Sequence, residues 1–403
     1  MKVTKIDVLP IYPKLAARYA HRMVDLFGIN YRTVYRVETD NGLVGYGDQR
    51  VRPGGQPGLK SAERYVGCDP CDFIKGGEAT ALTGAMYDVM GKYLDVPAHK
   101  LMGPKVRDEV KVAAWTRPAT PEVFRDEILR AAGQGYTVFK MHTSMYHDVY
   151  EQVRLASEVA PPHFKLHLDF NGNRSMAAVL PIIKELEREP IVGFIEDPMV
   201  RSDLDGWPKL RAKSPIPIIM HVPPLGGYQE LVAGAADIYM LSGSVGKVFA
   251  QGITCGLANV QTLLQFETGT LGKAMAMHIA SVLPTCEAHS VNLDDQYEED
   301  ITTKRIEIVE GYSPVPDGPG LGFEVDEEAL AEFASREPPV LPRHVGTLTM
   351  PNGTVYHGPS FASPPGEEGM VRGMRHEIWE DDGSREFEKL YERVQKEGRI
   401  RGD

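Results

Sequence analysis

The stretch Thr137–Ser244 decides the fold, because five short apolar runs within it each close on a residue with a chemical function. They are TVFKMH (137–142), ending at Lys140 and His142; FKLHLDFNG (164–172), carrying Asp169; IVGFIEDP (191–198), with Glu196 and Asp197; IPIIMHV (216–222), with His221; and ADIYMLS (236–242), ending at Ser242. The steps from 140 to 169, 196, 221 and 242 are 29, 27, 25 and 21 residues, the length of one strand plus one crossover helix. Strands at this spacing with helical patterns between them read as consecutive βα units, which the right-handed crossover turns into a parallel sheet. Enough of them close into a barrel whose strand C-termini share one end, so residues distant in sequence meet in one pocket. Lys140, Asp169, Glu196 and His221 are expected to line it.

The whole chain suits that reading. Its 403 residues are too many for one ordinary domain and fit a barrel plus a smaller domain and an extension. With 42% hydrophobic and 25% charged residues the composition is that of a globular protein. No apolar run approaches the roughly 18 residues of a membrane span. The opening MKVTKIDVLP has no apolar signal core, so a cytoplasmic protein without membrane contact is expected. A net charge of -12 argues against a nucleic-acid partner, which needs basic patches. The expected partners are a small-molecule carboxylate as substrate and further copies of the chain in a homo-oligomer. Four cysteines are few for this length, and Cys68 and Cys71 read as ordinary thiols in a loop, since no second pair completes a zinc site.

Taken in order, residues 2–9 alternate like an edge strand, and YRTVYRVET (31–39) and LVGYG (43–47) flank Asp40-Asn41-Gly42, a tight-turn signal. The N-terminal region is thus a small antiparallel sheet. Between its first strand and this hairpin lies Arg18-Tyr19-Ala20-His21-Arg22, dense in anion-binding groups, which reads equally as a solvated loop or a substrate lid. ATALTGAMYDVMGKYL (79–94) has the spacing of a buried helix. The barrel is expected to start at Val110–Trp115, with a helix from Pro121 to Ala132 stopped by Gly133 and Gly135. Later units place a helix near 247–257, a strand near 260–266 and a helix near 271–283, while an eighth unit has no clear signal. PVPDGPGLGFEVDEEAL (314–330) reads as a loop, a return strand and a short helix. Residues 338–403 form an extension: a hairpin about Asn352-Gly353, then a helix with Phe387, Leu390, Tyr391 and Val394 on one face and Gly398 as its stop.

Asp169 and Glu196, at the ends of neighbouring strands, are oxygen donors of the kind hard divalent cations take, with His221 a third candidate. Lys140 and His142 are two apart and project to the same side of their strand. Taken singly, each of these residues is more often half of a salt bridge or a satisfied core histidine. Together they make a constellation.

Several segments, TVYRVETDNGLVGYGD (33–48), TGAMYDVMGKYLDVPAHKLMGPKVRDEV (83–110), HLDFNG (167–172), GFIEDP (193–198) and PVPDGPGLGFEVDEEAL, resemble in order the enolase superfamily, in its mandelate racemase and muconate lactonising branch. The resemblance covers roughly residues 2 to 335. It implies an α/β fold with an α+β capping domain (1–108), a modified (β/α)7β TIM-like barrel (109–312), a segment returning to the cap (313–337), and the extension outside it. It also implies that a divalent metal assists removal of the proton α to a carboxylate. Lys140 stands at the place of the base, Asp169 and Glu196 at the first two metal ligands, and loop 14–28, with Arg18, Tyr19, His21 and Arg22, at the substrate lid.

This chain departs from the pattern at several points. The usual second lysine is His142, the usual third carboxylate ligand is His221, and Ser242 replaces the aspartate that orients a histidine. QFET (265–268) offers Gln265 and Glu267 where that histidine belongs, so Glu267 is the candidate for the opposite face. Imidazole is softer than carboxylate, so Mg2+ is the first expectation and Mn2+, Fe2+ or Zn2+ are admitted. Dehydration of a sugar acid needs one base and one acid, which Lys140 and His142 supply, so a lyase is favoured over a racemase or epimerase. Two other classes stay open: a barrel enzyme using Lys140 as a Schiff-base nucleophile, and a barrel without chemistry.

Overall fold

The computed structural model describes residues 1–58, 60–361 and 372–402. The chain divides into two compact units, one of Met1–Ala17, Gly28–Ala114 and Tyr239–Pro339, the other of Arg18–Phe27, Trp115–Ile238 and Val340–Asp403.

In the first unit, strands β1 (Val3–Ile11), β2 (Arg32–Thr39) and β3 (Val44–Arg50) form an antiparallel sheet in that order. Gly42, at φ +83°, makes the β2–β3 turn, as the Asp-Asn-Gly signal requires. The helix Thr80–Leu94 lies on β3 at a distance only glycine allows. A Cβ on Gly47 would come within 1.9 Å of the Ala81 carbonyl oxygen, and one on Gly45 within 2.2 Å of that of Ala85. Gly45 and Gly47 are two apart and so share the face that meets the helix.

The parallel strands are β4 (Glu109–Thr116), β5 (Val138–His142), β6 (Lys165–Asp169), β7 (Val192–Glu196), β8 (Ile218–His221), β9 (Ile238–Leu241), β10 (Gln261–Phe266) and β11 (Ser290–Asn292). They hydrogen-bond in sequence order, and the pairing of β11 with β4 (Ser290 on Val112) closes an eight-stranded barrel. The eighth strand has only three residues, too short for any alternation to show in the sequence. The helices at Pro121–Gly133, Val245–Leu257 and Thr270–Val282 fall where their patterns place them.

The segment after the barrel differs from expectation. β12 (Tyr312–Pro314) runs antiparallel to β4, while the GFEV stretch makes only an isolated bridge, Val325 to Thr302, before the helix Glu327–Ser335. Its glycines at 318, 320 and 322 are the reason: Gly320 packs on Asp88 of the Thr80–Leu94 helix, where a Cβ would lie 2.3 Å from Oδ1. Chain held that close to a helix has no free edge for pairing.

In the second unit, β13 (His344–Thr349), β14 (Val355–Gly358), β15 (Arg375–Glu380) and β16 (Ile400–Arg401) form an antiparallel sheet in the order β15-β13-β14-β16. The helix Arg385–Glu397, capped by the Ser384 hydroxyl, buries Phe387 and Val394 against Val345 and Ile400. A second cluster, Leu348, Phe361 and Met374, packs on Tyr146 in the loop after β5. The extension is therefore docked on the barrel half that carries the candidate site. No helix among the described residues is long and apolar enough to cross a membrane.

Candidate functional site

Strand register sets the site. Lys140 pairs with His167 across β5 and β6, His142 with Asp169, and Asp169 with Glu196 across β6 and β7. In a parallel sheet such cross-strand partners point the same way, so two rows of polar side chains stack inside the barrel. All are buried: Lys140, His167 and Glu196 are 0% exposed, Asp169 2% and His142 7%.

The Lys140 ammonium lies between the two carboxylates, Nζ 2.6 Å from Glu196 Oε2 and 3.1 Å from Asp169 Oδ2. Burial opposes its charge, but Asp169 and Glu196 outweigh that and hold it protonated above the ordinary lysine range. Glu196 is likewise opposed by burial, and Lys140 then keeps it well below the usual carboxylate range. His167 Nε2 is 2.6 Å from Glu196 Oε2, and burial keeps its imidazole from charging.

His142 is neutral, pushed down to about 4 by burial. The Trp115 indole N–H lies 3.0 Å from its Nε2 and can only donate, so Nε2 accepts and the ring proton is on Nδ1. That nitrogen faces Asp169 Oδ2, the carboxylate oxygen on its side, at 3.4 Å, and the Asn171 side-chain amide nitrogen lies 2.8 Å from it. His142 is thereby fixed on both ring nitrogens.

The last row gathers Glu196, Asp197 and His221, whose donor atoms lie within 4.8 Å of one another. By strict alternation Asp197 would point away from Glu196. It is brought round by its own left-handed backbone, φ +42°, where a non-glycine residue is strained. Asp197 accepts from Arg201 at 2.8 Å and from the His221 amide at 3.1 Å, yet burial and the neighbouring Glu196 push it up to about 7. Glu196 Oε1 is buried, accepts no hydrogen bond among the described residues, and lies 3.3 Å from His221 Nδ1. A buried carboxylate oxygen left open beside an imidazole nitrogen fits a cation site. Asp169 is outside this group, with Oδ2 on Lys140 and Oδ1 accepting the Asn171 amide at 2.8 Å.

The remaining expected residues have partners of their own. Tyr19 is fully buried and, with Arg18, faces Glu127 on the helix Pro121–Gly133: Arg18 Nε is 3.2 Å from Oε1 and the Tyr19 hydroxyl 3.4 Å from Oε2. Arg22 pairs with Asp25 at 3.3 Å, and with His21 it lines a cavity of about 350 Å³. Glu267 forms an ion pair with Arg50 and accepts from Gln265 at 2.5 Å.

His167, Asn171 and Trp115 are not singled out in the sequence, and Asp197 is named there beside Glu196 without a role of its own. His167 had a readable signal, since His167-Leu168-Asp169 repeats the same-face spacing of Lys140-Met141-His142. Trp115 and Asn171 act through the tertiary fold, and Asp197 through a backbone turn that alternation does not foresee.

An alternating α/β barrel with a lysine, two carboxylates and histidines at its strand ends defines a class of barrel enzyme. The profile described as "Enolase C-terminal domain-like" matches residues 123–329, and the chain belongs to that family, within the enolase superfamily's mandelate racemase and muconate lactonising branch. It is 29% identical over 215 residues to the D-galactonate dehydratase of Verminephrobacter eiseniae (strain EF01-2), a match covering 45% of this chain and 56% of that one. The chain thus spans little more than half the length of that relative. The fold is shared with muconate lactonizing enzyme from Pseudomonas putida (TM-score 0.69, 19% identity, 83% of this chain and 99% of that one). It is shared equally with a dipeptide epimerase from Cytophaga hutchinsonii complexed with Mg and D-Ala-L-Val (TM-score 0.69, 19% identity, 82% and 98%). Enzymes of this superfamily use a divalent metal.

Proposed function

We propose that this protein removes the proton α to the carboxylate of a sugar acid and expels a β-hydroxyl as water, a lyase reaction. The observation that carries this reading is Lys140, buried between Asp169 and Glu196 with a histidine fixed beside it. The likeness to a D-galactonate dehydratase supports the substrate class.

Lys140 is the base, and it must first give up its proton. In the structure two carboxylates hold that proton, and a cation on the other oxygen of Glu196 would draw charge from the same carboxylate and loosen its hold on the ammonium. Glu196 and His221 would hold the metal, with Asp169 or Asp197 as the third donor; Mg2+ is the first expectation and the imidazole admits Mn2+, Fe2+ or Zn2+. When bound, such an ion supplies positive charge where the substrate carboxylate becomes more negative. His142, fixed by Trp115 and Asn171, orients Asp169 and the Lys140 amine; its Nε2 is occupied, which suits a positioning role better than that of an acid. Arg18, Tyr19, His21 and Arg22 remain the candidates for enclosing the substrate, and Glu267 for the opposite face. A small carboxylate is the partner, and a homo-oligomer of this chain is part of the same proposal.

The test is turnover of a panel of aldonic acids with Mg2+ or Mn2+ present, followed as 2-keto-3-deoxy acid. Lys140→Ala should abolish it while substrate binding persists, since a group acting in the transition state lowers kcat and kcat/KM together. An active Lys140→Ala enzyme refutes the assignment.

A further inference from the structure

The cavity lined by His21 and Arg22 is also lined by residues of the C-terminal extension, among them Arg375 and His376 of β15, and by Thr120 and His147 from the loops that follow β4 and β5. Those loops leave the C-terminal ends of their strands, the end where His142 and Asp169 lie and where barrels of this kind carry their sites. The link is short. Arg117 stacks over Trp115 at 5.5 Å, Trp115 donates to His142, and Pro118 to Thr120 follow directly in the chain. At about 350 Å³ the cavity is within the range of small-molecule sites. The family profile ends at residue 329, so the β15 wall lies outside the segment it matches.

Two residues that line this cavity each carry an unspent polar atom. Arg22 Nη2 and His376 Nε2 are buried and have no hydrogen-bond partner among the described residues. The His376 ring is held in place by His147 at 5.4 Å and Phe361 at 5.6 Å, so its nitrogen has a fixed aim. Buried polar atoms left open cost free energy unless something satisfies them.

Charge decides what that something is. Two guanidinium groups, Arg22 and Arg375, face three carboxylates: Asp25 at 3.3 Å from Arg22, Glu122 at 2.9 Å and Glu377 at 3.1 Å from Arg375. Arg117 also acts on Asp25, so these guanidinium and carboxylate groups balance and leave no net positive charge to favour an anionic group. A hydroxyl both donates and accepts, so it answers a guanidinium N–H and an imidazole nitrogen alike.

We propose that the extension forms one wall of a polyol subsite, in which His376, together with Arg22, binds the hydroxyl-bearing far end of the substrate chain. The identity of the occupant rests on the sugar-acid reading above; the subsite itself rests on the cavity. His376 is then a residue that selects for chain length and for hydroxyls at the end remote from the carboxylate.

The test uses the full chain and galactitol, a neutral hexitol that carries no carboxylate and cannot react, with binding read by saturation-transfer NMR. Wild type should bind it, and His376→Leu and Arg22→Met should each weaken it about tenfold, the loss of one buried hydrogen bond. His376→Gln, which keeps a polar end, should retain binding. Arg22→Met reads the opposite wall if His376→Leu fails to fold. No galactitol binding by wild type, or equal binding by wild type and both apolar variants, overturns the subsite. Galactitol binding without turnover of any aldonic acid would leave the subsite standing and remove the sugar-acid reaction instead.

Discussion

Lys140 shows how much one buried charge can carry. Its ammonium is shared by two carboxylates with almost no exposure, so its removal leaves Asp169 and Glu196 facing each other across paired strands. Breaking a buried pair by deleting one partner costs about 3–5 kcal/mol, because the remaining charge is uncompensated. Lys140→Ala is therefore expected to unfold at markedly lower urea than wild type. The arrangement also predicts the remedy: a divalent cation and the ammonium both draw on the charge of Glu196, so millimolar Mn2+ or Mg2+ should restore more stability to the variant than it adds to wild type. Urea midpoints with and without metal measure this. Equal gains in both proteins would mean that the cation and the ammonium do not draw on the same carboxylate. The residue types of this cluster were legible, since Lys140, Asp169, Glu196 and His221 each close an apolar run. The partners were not. That Trp115 fixes the His142 tautomer, or that Asp197 turns in through a positive φ, depends on contacts and backbone angles that no spacing encodes.

At the scale of elements, the strands with strong alternation and the helices with clear stops were readable, while β11, β15 and β16 were not. β11 and β16 have three and two residues, and β15, RHEIWE, is half-buried along most of its length, which blurs a period of two. Yet β15 makes an acid-sensitive joint. His376 on β15 packs against His147 in the loop after β5, and burial pushes these imidazoles down to about 4 and about 3. The unfolded chain takes up those protons near the ordinary histidine value of about 6.5, while the folded one resists them. Both groups thus favour the folded state fully above that value, and their contribution is lost as pH falls from about 6.5 towards 4 and 3. Replacing both histidines by Phe and Gln, which do not titrate, should flatten the dependence of the melting temperature over pH 6.5 to 4. An unchanged slope in the double variant would show that other groups set the acid limit.

At the scale of the molecule, the β/α rhythm of 137–244 was enough to establish a barrel, because each parallel strand needs a crossover of nearly fixed length and so leaves a period in the sequence. The extension leaves no such period, and its packing on the barrel, with Tyr146 under Leu348, Phe361 and Met374, is a matter of tertiary contact alone. A chain with a net charge of -12 and a buried cluster of carboxylates should be sensitive to cations as a whole. A ligand that binds only the folded state stabilises it by RT ln(1 + [L]/Kd), about 2.7 kcal/mol at a concentration one hundred times Kd. Protein stripped with chelator and returned to millimolar Mg2+ or Mn2+ should therefore melt several degrees higher. His221→Ala and Glu196→Gln should remove that increment. Asp169→Asn and Asp197→Asn then separate the two candidates for the third donor, because only the true ligand should abolish the shift while the other leaves it largely in place. Ca2+ at the same concentration controls for nonspecific screening of the acidic surface, which would raise all variants alike. A melting temperature that chelation and metal both leave unmoved would exclude the cation site, and Lys140 would then remain as the resident positive charge between the two carboxylates.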